Sequence, residues 1–154
     1  LGNEFGATTK RPRRTGRFDI PQVKYAMMIS GTTEVVLTKL DVYDGMESIQ
    51  ACIAYDCPNM GNIYPSGTNK EFIPNATVLN KAIPVYHEFS GWKGQKTQGV
   101  WSYEELPENA INYVQFLKGH LEGGTNAKVT SVCNGPERNN ILHIPSSLFG
   151  RNIK

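Results

Sequence analysis

Four consecutive residues, Thr38-Lys39-Leu40-Asp41, carry the strongest local chemical signal in the chain. They close an apolar stretch, and in open α/β sheets ligands bind outside the carboxyl ends of the strands. A carboxylate there can accept two hydrogen bonds, from the N1–H and the exocyclic amine of guanine, while the Lys39 stem covers the face of the base. Adenine offers no matching pair of donors on that edge. A strand end followed by an ordinary turn would carry the same four residues, and the motif alone leaves both readings open. A second turn, Ser131-Val132-Cys133-Asn134-Gly135-Pro136, also follows a predicted strand. Its backbone N–H groups could meet guanine O6, so that an acceptor from one loop and donors from the other would read one base edge.

The other chemical concentration is positive charge. Residues 1 to 25 hold six cations (Lys10, Arg11, Arg13, Arg14, Arg17, Lys24) against Glu4 and Asp19, whereas the remainder holds ten cations against twelve carboxylates. The formal net charge of +2 conceals this asymmetry. Three readings stand for Lys10 to Arg17: a solvated basic turn, a nucleic-acid or nuclear-import segment, and a pocket for small anions. Thr8, Thr9 and Thr15 favour the third, because hydroxyls and guanidinium forks together suit carboxylate and phosphate oxygens. A nucleic-acid module also predicts aromatic residues interleaved with the cations, and only Phe18 is nearby.

Much is excluded. The chain has no GxxxxGK[ST] phosphate loop, no GxGxxG fingerprint, no HExxH and no close-spaced Cys/His pairs. His87, His120 and His143 are scattered and read as structural or exposed. With Cys52, Cys57 and Cys133 the cysteine count is odd, and the closest pair has four residues between its members. Small buried thiols and a reducing, cytoplasmic location are expected. Asn75-Ala76-Thr77 matches a glycosylation sequon and is read as chance. The longest apolar run, around Tyr25 to Ile29, is far shorter than the ~18 residues of a membrane span. Leu1 opens the chain without Met or a signal peptide, which suggests an internal cut.

The elements that must position these residues follow from pattern. The 154 residues suit one domain, and 15 Gly with 9 Pro foretell many loops. Residues 3 to 18 read as a structured loop. Asp19 and Pro21 open a helix that runs through Val23, Ala26, Met27 and Ser30 to Gly31. Glu34 to Leu40 has a continuous apolar centre, as a strand of a parallel sheet buried on both faces would. Asp44-Gly45 marks a turn, and Ile49 to Tyr55 a strand. Residues 57 to 75 read as a hairpin excursion with weak strands around Ile63 and Phe72. Pro84 to Phe89 is a short strand, followed by a Gly-rich loop around Trp92. Pro107 starts a second helix with Ala110, Val114, Leu117 and Leu121 on one stripe, ended by Gly123-Gly124. Ala127 to Cys133 and Ile141 to Ile144 are the last strands. Strands alternating with helices give an α/β class.

Taken together, Gly6-Ala7-Thr8-Thr9-Lys10-Arg11-Pro12-Arg13-Arg14-Thr15-Gly16, Thr38-Lys39-Leu40-Asp41-Val42, Pro84-Val85-Tyr86 with Gly91-Trp92, and Asn134-Gly135-Pro136 resemble, in that order and spacing, the C-terminal third of adenylosuccinate synthetase. The resemblance spans nearly the whole chain as a single C-terminal region (1–154) of a mainly parallel-sheet GTP-binding fold. It implies a GTP-dependent ligase of purine biosynthesis, cytoplasmic and homodimeric, that joins IMP and L-aspartate through 6-phosphoryl-IMP with Mg²⁺. By motif match, residues 1–18 hold the aspartate loop. There Ala7, Thr8, Thr9, Lys10, Arg11 and Pro12 would meet aspartate or IMP, and Arg13 would meet aspartate and the GTP side. Lys39, Leu40 and Asp41, in 34–41, would hold guanine, and Cys133, Asn134 and Gly135, in 127–136, would line its other edge. The family's catalytic acid and base, phosphate loop and Mg²⁺ ligands lie upstream of the matched region, so no metal ligand and no turnover are expected of this chain alone. Lys10 stands where the family usually has Gly, so a positive φ there would be strained. Arg17 replaces a commonly aromatic residue, and Cys133-Asn134 a usual Ser-Thr pair.

Overall fold

The computed structural model describes residues 4–60 and 66–145. Asp19 accepts a hydrogen bond from Gln22 N at 2.9 Å, capping helix α1 (Ile20–Ser30), and Pro21 lies in its first turn. The helix stops at Gly31, whose φ of 64° is the left-handed conformation that glycine adopts without cost. Both ends therefore fall where the sequence places them. Immediately before it, Phe18–Asp19 forms the short strand β1.

Two sheets follow. In the first, β3 (Ser48–Cys57) is central: β1 pairs with it in parallel, while β4 (Gly67–Asn69) and β5 (Ile83–Ser90) pair antiparallel. In the second, β2 (Glu34–Leu37) runs parallel to β6 (Lys128–Cys133), and β7 (Ile141–His143) is antiparallel to β6. Helix α3 (Glu108–Glu122) begins after Pro107 and buries Ala110, Val114, Leu117 and Leu121 in one core with Val129 and Val132 of β6. Lys118 and Glu122 make a largely buried ion pair, and Glu122 Oε1 also accepts from Val129 N at 2.8 Å. The pair thus ties α3 to the strand that leads into the Cys133–Pro136 turn. The class is α/β, as expected; the two crossover pairings are parallel and the remaining pairings antiparallel.

Three local expectations change. The strand from Glu34 ends at Leu37, because Lys39 turns left-handed (φ 63°) and Leu40–Tyr43 forms a 3-10 turn. That strand is not buried on both faces: among the described residues β2 is an edge, Leu37 is its one buried side chain, and Val36 is 47% exposed. Around Phe72 there is no strand; Pro74 cannot donate to a ladder, and the Phe72 ring packs 5.1 Å from that of Tyr25. The expected strand around Ile63 lies outside the described residues. The sequence reading also misses a short helix, α2 (Ala76–Leu79), capped by Asn75 Oδ1 through Thr77 N and Val78 N. The sequon asparagine therefore has a local structural task.

Beyond β5 the chain must pass close to the turn after the Thr38–Asp41 motif. Gly91 N donates to Glu47 O at 2.8 Å, and a Cβ on Gly91 would lie 2.1 Å from Met46 O. Since backbone rather than a movable side chain occupies that space, Gly91→Ala is expected to lower the unfolding free energy by ~2 to 4 kcal/mol, as read by urea denaturation.

Candidate functional site

Register decides where the two candidate loops emerge. Leu37 of β2 faces Val132 of β6 in a parallel pair, so residues 38–41 and 133–135 leave adjacent strands at the same, carboxyl end. The 3-10 turn carries Asp41 toward Cys133. Burial is the first cause that raises the Cys133 thiol above its ordinary pKa, and the Asp41 charge is the second. The structure thus brings together two loops that lie more than ninety residues apart in sequence.

Each residue of the motif has its own place. Lys39 is exposed and in the left-handed region, whereas Leu40 is 3% exposed and anchors the turn in the core. Asp41 is partly exposed, and its carbonyl accepts from Asp44 N at 3.1 Å. In the second loop Cys133 and Gly135 are partly exposed and Asn134 is fully buried. Asn134 N–H is taken by Asn140 O at 3.1 Å, so the Asn134 backbone donor expected to face a base is already used within the loop. A Cβ at Gly135 would lie 2.5 Å from Asn140 Oδ1, and that oxygen accepts from Glu137 N. Glycine therefore lets the loop close tightly.

The basic loop folds back on itself. Phe5 and Pro12 form an isolated bridge, Gly6 N donates to Arg11 O at 2.9 Å, and Lys10 N to Gly6 O at 3.0 Å. This presents Ala7, Thr8, Thr9, Lys10, Arg11, Pro12 and Arg13 to solvent. Lys10 adopts φ 54°, so the strained conformation considered for this position is present. Among the described residues, Lys10 and Lys39 are the two non-glycine residues with positive φ, and each costs of order 1 kcal/mol to hold there. Glu4 links the regions: its carboxylate pairs with Lys39 and, at 3.5 Å, with Arg13. Arg17 is differently occupied, donating to Gln50 Oε1 at 2.6 Å and lying 4.9 Å over the Tyr86 ring. Glu4 carries no motif, and only its contacts reveal it.

Sequence reasoning also passes over Asp44, taken there as part of a turn. Its carboxylate accepts from Trp92 Nε1 at 2.7 Å, from Thr97 N and Oγ1 at 3.0 and 2.9 Å, and from Gln98 N at 3.3 Å. Of the histidines, His143 contacts the buried Ser131 Oγ at 2.9 Å, and His87 stacks on Phe116. Among the described residues no group of three or more His, Cys, Asp or Glu side chains is placed to hold a metal ion. Likewise, no described helix is long and apolar enough to cross a membrane. Cys52, Cys57 and Cys133 are free thiols.

Comparison with known proteins decides the family. The family model for adenylosuccinate synthetase matches residues 1–142. The chain belongs to the adenylosuccinate synthetase family. It is 36% identical over 141 residues to the adenylosuccinate synthetase of Thermodesulfovibrio yellowstonii and 43% identical over 141 residues to that of Geotalea uraniireducens. Each match takes in 92% of this chain and 30% of the relative. A solved structure described as fully ligated adenylosuccinate synthetase from Plasmodium falciparum superposes with a TM-score of 0.79 at 34% identity, covering 94% of this chain and 32% of that one. The chain therefore spans about 30% of the length of the synthetases it matches.

The contact between the loops has a chemical readout. A negative neighbour disfavours the thiolate, so Asp41→Asn should lower the Cys133 pKa. At any pH below that pKa, Cys133 should then react faster with iodoacetamide in the variant. Equal alkylation rates by peptide mapping would separate the two loops.

Proposed function

We propose that this chain is the C-terminal portion of a GTP-dependent ligase that joins IMP and L-aspartate to form adenylosuccinate, and that it supplies the guanine site and most of the aspartate loop. The observation that carries the reading is the emergence of the Asp41 and Cys133–Gly135 loops side by side from the parallel pair β2–β6, the place where an α/β sheet takes its ligand. Membership of the family and the match to a fully ligated synthetase support it.

In this reading Asp41 accepts from guanine N1–H and the 2-amino group, the Lys39 stem lies along the base, and Gly135 N–H reaches O6. Arg11 and Arg13 take the carboxylates of aspartate as charge-assisted forks, and Glu4 holds Arg13 and Lys39 near one another. Mg²⁺ would offset phosphate charge during transfer; its ligands, the phosphate loop and the general base would come from the rest of a complete enzyme. The chain alone therefore turns nothing over. The free thiols agree with a reducing cytoplasm.

Two variants of the complete synthetase test the two halves of the site. Arg11→Ala should weaken aspartate use, since losing one partner of a charged hydrogen bond costs ~1.5 to 3 kcal/mol; unchanged aspartate dependence with lost RNA or DNA binding would favour a nucleic-acid role for Lys10 to Arg17. Asp41→Asn keeps the shape but turns an amide donor toward the guanine amine, so kcat/KM for GTP should fall roughly 10- to 150-fold. Xanthine carries a carbonyl where guanine carries that amine, so the variant should gain on XTP. An equal loss on GTP and XTP would mean that Asp41 shapes the turn rather than reads the base.

A further inference from the structure

Three observations lie along one line between the two loops. Asp41 O accepts from Asp44 N at 3.1 Å. The Asp44 carboxylate holds Thr97 by its N–H and its hydroxyl. On the far side, Asn134 Nδ2 donates to Thr97 O at 2.7 Å and to Val100 O at 2.9 Å. Thr97 and Asn134 are both fully buried, so these bonds compete little with water. Thr97 O also accepts from Val100 N at 3.3 Å, and losing the Asn134 donations leaves the Trp92–Val100 loop without its tie to the second loop. Among the described residues Asn134 Oδ1 has no hydrogen-bond partner, and the amide orientation is set there by its two donations. A chain of hydrogen bonds thus runs from the Asp41 turn, through the Trp92–Val100 loop, to the residue between Cys133 and Gly135.

We propose that Asn134 and Asp44 are positioning residues for the base: acting through Thr97, they fix the separation of the two loops, and nucleobase selectivity depends on them although the Asn134 side chain does not touch the nucleotide. This rests on the guanine reading of the Asp41 and Gly135 loops and adds to it the part that sets their spacing. The physical requirement is plain. Asp41 must meet the 2-amino edge while Gly135 meets O6, and those atoms lie on opposite sides of N1. A shift of either loop therefore breaks one contact even when the other survives, and bases that differ only at the 2-position lose their distinction first. Such a constraint needs a rigid, water-excluded spacer, and buried donors on two carbonyls supply one.

The test uses the complete synthetase. Asn134→Leu removes both donations, and it should raise KM for GTP about tenfold, equivalent to ~1.4 kcal/mol, with kcat and KM for IMP within about twofold because contacts remote from the base are untouched. The preference for GTP over ITP, which lacks the 2-amino group, should narrow with it. Asn134→Thr keeps one hydroxyl donor and should recover part of the loss. Thr97→Val removes one bond to Asp44 and should act in the same direction, about threefold, and less than additively with Asn134→Thr, since the pair shares one network. A folded Asn134→Leu enzyme with unchanged KM for GTP and unchanged GTP-to-ITP preference would overturn the proposal, provided that Asp41→Asn raises KM for GTP. If Asn134→Leu does not fold, a Thr97→Val enzyme unaltered in both quantities would overturn it equally. Should Asp41→Asn itself leave GTP use untouched, the guanine reading falls, and the positioning proposal with it.

Discussion

The Asp44 carboxylate is the interaction on which the arrangement of the loops rests. It collects the indole N–H of Trp92, the N–H and hydroxyl of Thr97 and the N–H of Gln98, and so closes a loop that has no regular backbone pairing of its own. A charged acceptor facing several donors is strong where water is scarce. It also lets Trp92 be 2% exposed without leaving its N–H unpaired. The Trp92 ring then packs edge-on against Tyr43 of the Asp41 turn at 6.2 Å. The same residue thus stabilises the core and fixes the height of the turn above the sheet.

Around that centre, strain and rigidity are divided. The two left-handed lysines, Lys10 and Lys39, stand in exposed loops, while Leu37 and Leu40 on either side of Lys39 are buried. Backbone held in an unfavourable region persists only when its surroundings over-determine it. At Lys39 this is done by Leu40, sunk in the core on one side, and by the Lys39–Glu4 pair on the other. Parallel pairing of β2 with β6, and α3 pinned to β6 by Lys118 and Glu122, give the loops a stiff base. The nucleobase selectivity proposed for these loops requires that stiffness, because the energy separating two bases lies in one or two hydrogen bonds.

Legibility in the sequence followed the range of the interactions involved. Helix α1 was readable at both ends because its signals, Asp19, Pro21 and Gly31, act within a turn of where they stand. The stripe of α3 was readable because 3.6-residue periodicity reports burial whatever the partner. The strand from Glu34 was overextended: its apolar centre and Leu40 suggest continuation, but the chain turns left-handed at Lys39, where Leu40 is drawn into the core. The sequence reading of the second turn concerned its backbone donors and said nothing of the Asn134 side chain, which is enclosed under the Thr97–Val100 loop, a contact across more than thirty residues that no local pattern records.

By itself, the sequence determined the class of fold, the two main helices, and which short segments could carry carboxylate, amide and guanidinium chemistry. These properties are written in residue type and in spacings shorter than a helix turn or a hairpin. Tertiary structure alone decided that the Asp41 and Gly135 loops are neighbours, that Glu4 pairs with both Lys39 and Arg13, and that Asp44 and Asn134 grip the same intervening loop from opposite sides. The reason is physical. Pairing of distant strands and burial of a polar group depend on which surfaces meet after collapse, and that is a property of the whole packed chain rather than of any segment within it.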